Sequence, residues 1–258
     1  MTGYDLCKLI AGSWGTLSVM TEVTLKVMPR AEDERTLVLR GLDAVAAGRA
    51  MGAALGSPYD VSAAAHVPVS SWQGRGALSE LAAAGAITLI RLEGIAASVA
   101  HRAKTLGGEL KAFAAADEID GERSHEIWRS IRDVAPFAAG GPLGAWPVWR
   151  IVCPPAAGPA LGQRLARETG GDLIYDWGGG LIWATLPPAQ DAHAGLVRER
   201  AAAVGGHAML VRATDAMREM IDVFHPLDGG LAALTSRVKA SFDPSDLFNR
   251  GRLSRVAA

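Results

Sequence analysis

An α+β fold built on a duplicated ferredoxin-like unit is what this sequence predicts, and three observations predict it. Between Val148 and Arg212, strand-length apolar runs and helical stretches follow one another in the order β-α-β-β-α-β, the ferredoxin-like arrangement. Residues 35–115 repeat that order less regularly, as an old duplication would leave it. The composition is 49% hydrophobic but only 6% aromatic, with 30 glycines, which suits closely packed helices and sheet rather than a disordered chain.

Taken in order, residues 2–10 are a short helical approach with Leu6, Leu9 and Ile10 at helical spacing. Gly12 and Gly15 bracket Ser13 and Trp14 in a turn, and Ser18–Val27 alternates β-branched residues as a strand that Pro29 stops. Pro29–Glu34 is a charged linker and marks a domain boundary. In the first unit Thr36–Arg40 is a strand, Leu42–Leu55 an Ala-rich helix closed by Gly56-Ser57-Pro58, and Tyr59–Val69 a second strand. A Ser/Gly loop, Ser70–Gly76, leads to a strand over Ala86–Leu92. The helix Ile95–Leu106 ends at Gly107-Gly108, and Glu109–Ala115 is read as the return strand. Ile119–Val134 is a charged amphipathic helix with Ile127, Trp128 and Ile131 on one side.

The second unit is clearer: strand Val148–Val152, helix Ala156–Glu168 closed by Gly170-Gly171, and strand Asp172–Trp177. A glycine hairpin at Gly178-Gly179-Gly180 leads to strand Leu181–Leu186, helix Ala189–Val204 and strand His207–Arg212. Helices over Ala213–Ile221 and Leu227–Phe242 follow, and an Asp-Pro turn with Asn249-Arg250-Gly251 ends the chain.

The 258 residues suffice for one large or two small domains with a sizeable core. Lys+Arg 26 against Asp+Glu 27 leaves a formal charge of -1 and argues against nucleic acid or an anionic membrane as main partner. No apolar run is long enough to span a bilayer. Cys7 and Cys153, far apart and outside any metal-type spacing, fit a reduced cytoplasmic setting. Neither a Gly-x-Gly-x-x-Gly fingerprint nor a Walker lysine loop occurs.

Three stretches carry a resemblance. Gly3-Tyr4-Asp5-Leu6 with Leu9 to Leu17, Val19 to Val23 and Lys26 to Pro29 form the first; Asp176 to Gly179 with Gly205-Gly206-His207-Ala208 the second; and Phe242 to Leu253 the third. They resemble the vanillyl-alcohol-oxidase (PCMH) type of flavoprotein, and within it the FAD-binding subunits of bacterial glycolate oxidases. The resemblance implies a C-terminal remnant of a PCMH-type FAD-binding domain over residues 1–30, a cap of two ferredoxin-like halves over 31–222, and a C-terminal helix and tail, 223–258, that returns to the flavin domain. The family's glycine-rich pyrophosphate loops come earlier than such a segment, so the chain reads as the C-terminal piece of a longer protein.

What the resemblance implies for function is FAD as cofactor, oxidation of glycolate or another small 2-hydroxy acid to the 2-oxo acid, and assembly with a second flavoprotein subunit and an iron–sulfur subunit. Gly12, Ser13, Gly15, Thr16 and Val19 would line the FAD, and Asn249 would return with the tail toward the flavin ring. Glycine lets the main chain approach a ligand, and a side-chain amide both donates and accepts. Arg250 stands where the family usually has proline. The resemblance supplies no catalytic base and no metal. His207 is read as structural or exposed, in preference to a role in a cleft, and His66, His101, His125, His193 and His225 show no ligand spacing. Arg91 and Arg150, in strands that otherwise read as core, are exposed at a strand edge or bind a carboxylate bidentately; Trp149, Trp177 and Trp183 are read as core and hairpin packing. Two other readings stand beside the oxidase: a non-catalytic assembly module without FAD, and a free-standing ferredoxin-like ligand-binding domain.

Overall fold

A computed structural model describes residues 5–69 and 76–253. The chain splits into two compact units, one made of residues 30–217 and the other of residues 1–29 with 218–258.

The larger unit is one eight-stranded sheet. Its elements are β1 (Asp33–Arg40), α2 (Ala44–Leu55), β2 (Val61–Val67), α3 (Ala77–Ala82), β3 (Ile87–Gly94), α4 (Ala96–Leu110), β4 (Ala116–Asp120) and α5 (Gly121–Arg132). After a linker come β5 (Val148–Val152), α6 (Gly158–Thr169), β6 (Asp172–Asp176), β7 (Leu181–Thr185), α7 (Ala194–Ala202) and β8 (His207–Arg212). The spatial order is β4-β1-β3-β2-β6-β7-β5-β8, with every pairing antiparallel. Each half shows the fourth strand beside the first and the third between the first and second, which is the ferredoxin-like order, so the predicted duplication is present. The halves meet where β2 runs beside β6, through the pair His66 and Tyr175.

Alternation along the strands sorts the core into two sides. Leu37, Leu39, Ile90 and Leu92 face α2 and α4, while Val38 and Leu89 face α5 through Ile127, Trp128 and Ile131. In the second half Trp149 Nε1 donates to the Ala192 carbonyl (2.9 Å), placing α7's approach on one side of the sheet. The linker is held by Arg212 at the end of β8, whose guanidinium donates to the carbonyls of Phe137, Leu143 and Trp146.

Several expectations are corrected. Glu109–Ala115 is not a strand: α4 runs on to Leu110 and the return strand is β4 at Ala116–Asp120. Gly107 does not stop the helix but lies buried within it, where a Cβ would meet Leu37 and Ala116 at ordinary contact distances of 3.7 and 3.9 Å. The helix α3 has no counterpart in the sequence reading, α7 starts five residues later than expected, and the glycine hairpin is a 3-10 turn, Trp177–Gly179. Most of the predicted loop at 70–76 lies outside the described residues.

In the smaller unit α1 (Leu6–Ile10) is capped by Asp5 and α9 (Gly229–Phe242) by Asp228. The short helix α8 (Asp215–Met220) spans the boundary between the units. The predicted strand Ser18–Val27 is not formed. Residues 19–30 join no ladder, and Val19, Val23, Leu25, Val27 and Met28 are exposed. A strand exists only through hydrogen bonds to a neighbour, and this segment has the residues without the partner.

Candidate functional site

The loop from Ala11 to Leu17 follows directly from its glycines. Gly12 and Gly15 have φ of +82° and +69°, a conformation that glycine adopts without a steric penalty. Ser13 N–H donates to the Ile10 carbonyl (3.0 Å), Thr16 N–H to the Ser13 carbonyl (3.1 Å), and the Thr16 hydroxyl to the same oxygen (2.7 Å). Ser13 and Thr16 are therefore buried and shape the loop. Among the described residues the amides of Gly12, Trp14, Gly15 and Val19 have no such partner.

The C-terminal tail closes on this loop. Asn249 Nδ2 donates to the carbonyls of Trp14 (2.9 Å) and Gly15 (3.2 Å), and a Cβ on Gly15 would sit 2.7 Å from that nitrogen. Lys239 Nζ on α9 donates to the carbonyls of Thr16 (2.9 Å) and Phe248 (3.1 Å) and pairs with Asp243. Asp243 also accepts from the amides of Leu247 (2.9 Å) and Phe248 (2.8 Å). Burial opposes the charge on Asp243, but Lys239 and the two amides outweigh it and hold the carboxyl down to about 2. Trp14 packs edge-on against Phe224 and carries Arg252 over its ring. The six residues expected at the cofactor are thus split: Ser13, Gly15, Thr16 and Asn249 belong to one hydrogen-bonded knot, Gly12 sits in its loop without a hydrogen bond among the described residues, and Val19 lies beyond it on the unpaired segment.

A second concavity lies within the larger unit. It is an open cleft of about 830 Å³ on the sheet face beside α5, lined among others by Glu34, Arg91, Trp128, Arg150, Asp176 and Trp177. Glu34, buried on β1, accepts from Ser124 Oγ (2.5 Å) and lies 3.6 Å from His125 Nε2; Ser124 and Trp128 Nε1 both meet Thr36 Oγ1 at 2.7 Å. Arg91 lies over Trp128, with Nε 3.1 Å from Glu93, and Arg150 lies over Trp177 at 5.1 Å. Burial raises the Asp176 carboxyl, against the pull of the Trp177 amide and Arg91.

No protein-family model matches the chain. It is similar to the glycolate oxidase subunit GlcE of Escherichia coli (strain K12), 28% identical over 255 residues, or 98% of this chain; the chain spans 58% of that relative's length. Among solved structures it superposes on an alkyldihydroxyacetonephosphate synthase with a TM-score of 0.56, at 16% identity, covering 96% of this chain and 50% of the other. A p-cresol methylhydroxylase with bound substrate gives 0.52 at 12% identity, covering 88% and 54%. The fold is that of the vanillyl-alcohol-oxidase type of flavoprotein. The 4-ethylphenol oxidase of Gulosibacter chungangensis agrees, with a TM-score of 0.51 at 12% identity over 89% of this chain and 55% of that one.

Within this vanillyl-alcohol-oxidase fold, the cleft is what sequence reasoning missed. Arg91 and Arg150 are not at an edge: β3 lies between β1 and β2, and β5 between β7 and β8, so both project from interior strands onto one face. Trp177 is not packing either, being 54% exposed. An Arg inside an otherwise apolar strand was the available signal, and only the pairing of strands shows which arginine shares a cleft with which tryptophan. His207 is exposed at the start of edge strand β8 and does not line the cleft. Among the described residues, no group of three His, Cys, Asp or Glu side chains is placed to hold a metal, and no helix is long and apolar enough to cross a membrane.

Proposed function

We propose that this chain is the cap-bearing, C-terminal part of an FAD-binding subunit of a glycolate-oxidase-type complex, serving oxidation of a small 2-hydroxy acid to the 2-oxo acid. The observation that carries the reading is the knot of the C-terminal tail on the glycine loop, Asn249 on Trp14 and Gly15, in a chain similar to GlcE over almost its whole length. The loop suits a flavin nucleotide. Space beside Gly12 is open, its amide and those of Gly15 and Val19 are unengaged among the described residues, and Ser18 Oγ is buried without a partner. FAD, when bound, supplies the acceptor for the two electrons leaving the carbon that bears the hydroxyl.

The chain's own residues would do the positioning. Gly12, Gly15 and Val19 would offer amides, Ser13 and Thr16 keep the loop in shape, and Asn249 locks it while its Oδ1 remains available to accept. A second flavoprotein subunit and an iron–sulfur subunit complete the proposed assembly, in the cytoplasm. Purified protein should take up FAD, giving flavin absorbance bands that survive gel filtration, and Gly15→Val should abolish uptake. A colourless protein that stays colourless with excess FAD would refute cofactor binding by this chain.

One observation favours a second reading, a non-catalytic assembly module: the exposed apolar row from Val19 to Met28. That reading predicts capture of partner subunits by flavin-free protein, lost when Val23 and Leu25 are replaced by Ser.

A further inference from the structure

The cleft of the larger unit contains a partly buried cation that the structure leaves unused. Arg91 is occupied by Ser62 Oγ (3.0 Å) and Glu93 (3.1 Å), and Arg132 by Asp133 (2.8 Å). Arg30 and Arg129 are exposed, so water satisfies them. Arg150 is only partly exposed, yet among the described residues it makes no hydrogen bond and no ion pair. Its guanidinium lies over the face of Trp177, 5.1 Å from the ring centroid. A guanidinium that lies over an indole face keeps its N–H donors free, and a guanidinium with free donors can meet a carboxylate with two parallel hydrogen bonds.

The backbone fixes the indole in place. Trp177 has φ of +53°, unfavourable for a bulky residue, and Asp176 Oδ1 holds its amide at 2.7 Å. The following turn is wedged from behind: a Cβ on Gly178 would strike Leu55, and one on Gly179 would come 2.9 Å from the Pro155 carbonyl. A strained turn thus presents a half-exposed tryptophan whose ring face lies beneath Arg150.

We propose that Arg150, lying over the face of Trp177, is a carboxylate receptor, and that the cleft takes a small organic monocarboxylate whose carbon skeleton lies along Trp177 and Trp183. Glu34, Glu93 and Asp176 line the same cleft and partly offset its other arginines, Arg30, Arg91, Arg129 and Arg132, which leaves Arg150 to meet a single carboxylate. The inference deepens the proposed oxidase function and rests on it for the 2-hydroxy acid class, while its test needs no flavin.

The test is a ligand-observed NMR titration of the full chain, free of FAD, with sodium glycolate, sodium mandelate, the neutral ester methyl mandelate, and sodium sulfate. Both carboxylates should bind saturably, and the ester at least tenfold more weakly. Arg150→Gln should weaken the carboxylates by roughly tenfold or more without affecting the ester, Trp177→Phe should weaken them about twofold to fivefold, and Arg167→Gln on α6 should change nothing. Arg150→Lys keeps the charge but loses the fork, so it should also weaken binding, and it decides the matter if Arg150→Gln does not fold. Unchanged affinity in the Arg150 variants, sulfate competing at the same concentration as carboxylate, or no saturable binding would overturn the receptor. Loss of FAD uptake with this titration intact would count against the oxidase reading alone.

Discussion

Asn249 shows how a single side chain can hold two distant stretches together. Its amide bridges to carbonyls more than two hundred residues earlier, and its own φ of +42° is one that Asn tolerates better than most residues. Asn249→Ala should lower the stability of the smaller unit by about 1 kcal/mol, read as faster amide exchange over residues 12–17. Unchanged protection there would show that the clamp is ornamental. His66 makes a different point. It is buried at the seam of the two halves with Nδ1 2.9 Å from Thr88 Oγ1, and burial, against the pull of the Ile87 backbone and Asp43, lowers its pKa from 6.5 to about 4. The unfolded chain therefore takes up a proton below 6.5 that the folded one refuses down to about 4. Stability should fall by about 3 kcal/mol as pH drops across that window, and denaturant midpoints for His66→Gln should lose most of the dependence. Asp243 acts lower on the scale. Its carboxyl, held down to about 2, contributes stability fully above 3.8 that is lost as pH falls toward 2.

Among elements, the start of α6 meets the turn after β6 backbone to backbone. A Cβ on Gly158 would run into the Gly179 carbonyl, which backbone cannot yield as a side chain could, and Cys153 Sγ lies 3.4 Å away on the other side. Gly158→Ala should cost about 2 kcal/mol and disturb the Trp177 turn, visible as a shift in tryptophan emission; a stable variant with unchanged emission would contradict this packing. Element type was readable wherever a segment is long and its burial one-sided, as in α5 and α6, because period and composition then agree. It failed where a glycine had two possible uses. Gly107 read as a stop and serves as a contact, and Ser18–Val27 read as a strand although pairing, which sequence does not display, is absent.

At the scale of the molecule, the larger unit contains its own sheet and two hydrophobic clusters packed on it. Residues 30–217 expressed alone should therefore unfold in one cooperative transition; a broad, non-cooperative melt would show that the unit depends on the rest of the chain. The strand–helix order and the internal duplication were determined by the sequence alone, since hydrophobic period is a local property that each segment carries with it. The glycine loop and the Asn249 tail were both visible as motifs, but that they meet was decided by folding. So was the cleft: Arg91 comes from β3, Arg150 from β5 and Trp177 from the turn after β6, and the spatial order β3-β2-β6-β7-β5 is not the order in the chain. Side chains far apart in sequence share a site only through strand pairing and register, and those are long-range choices made by burial of the whole sheet.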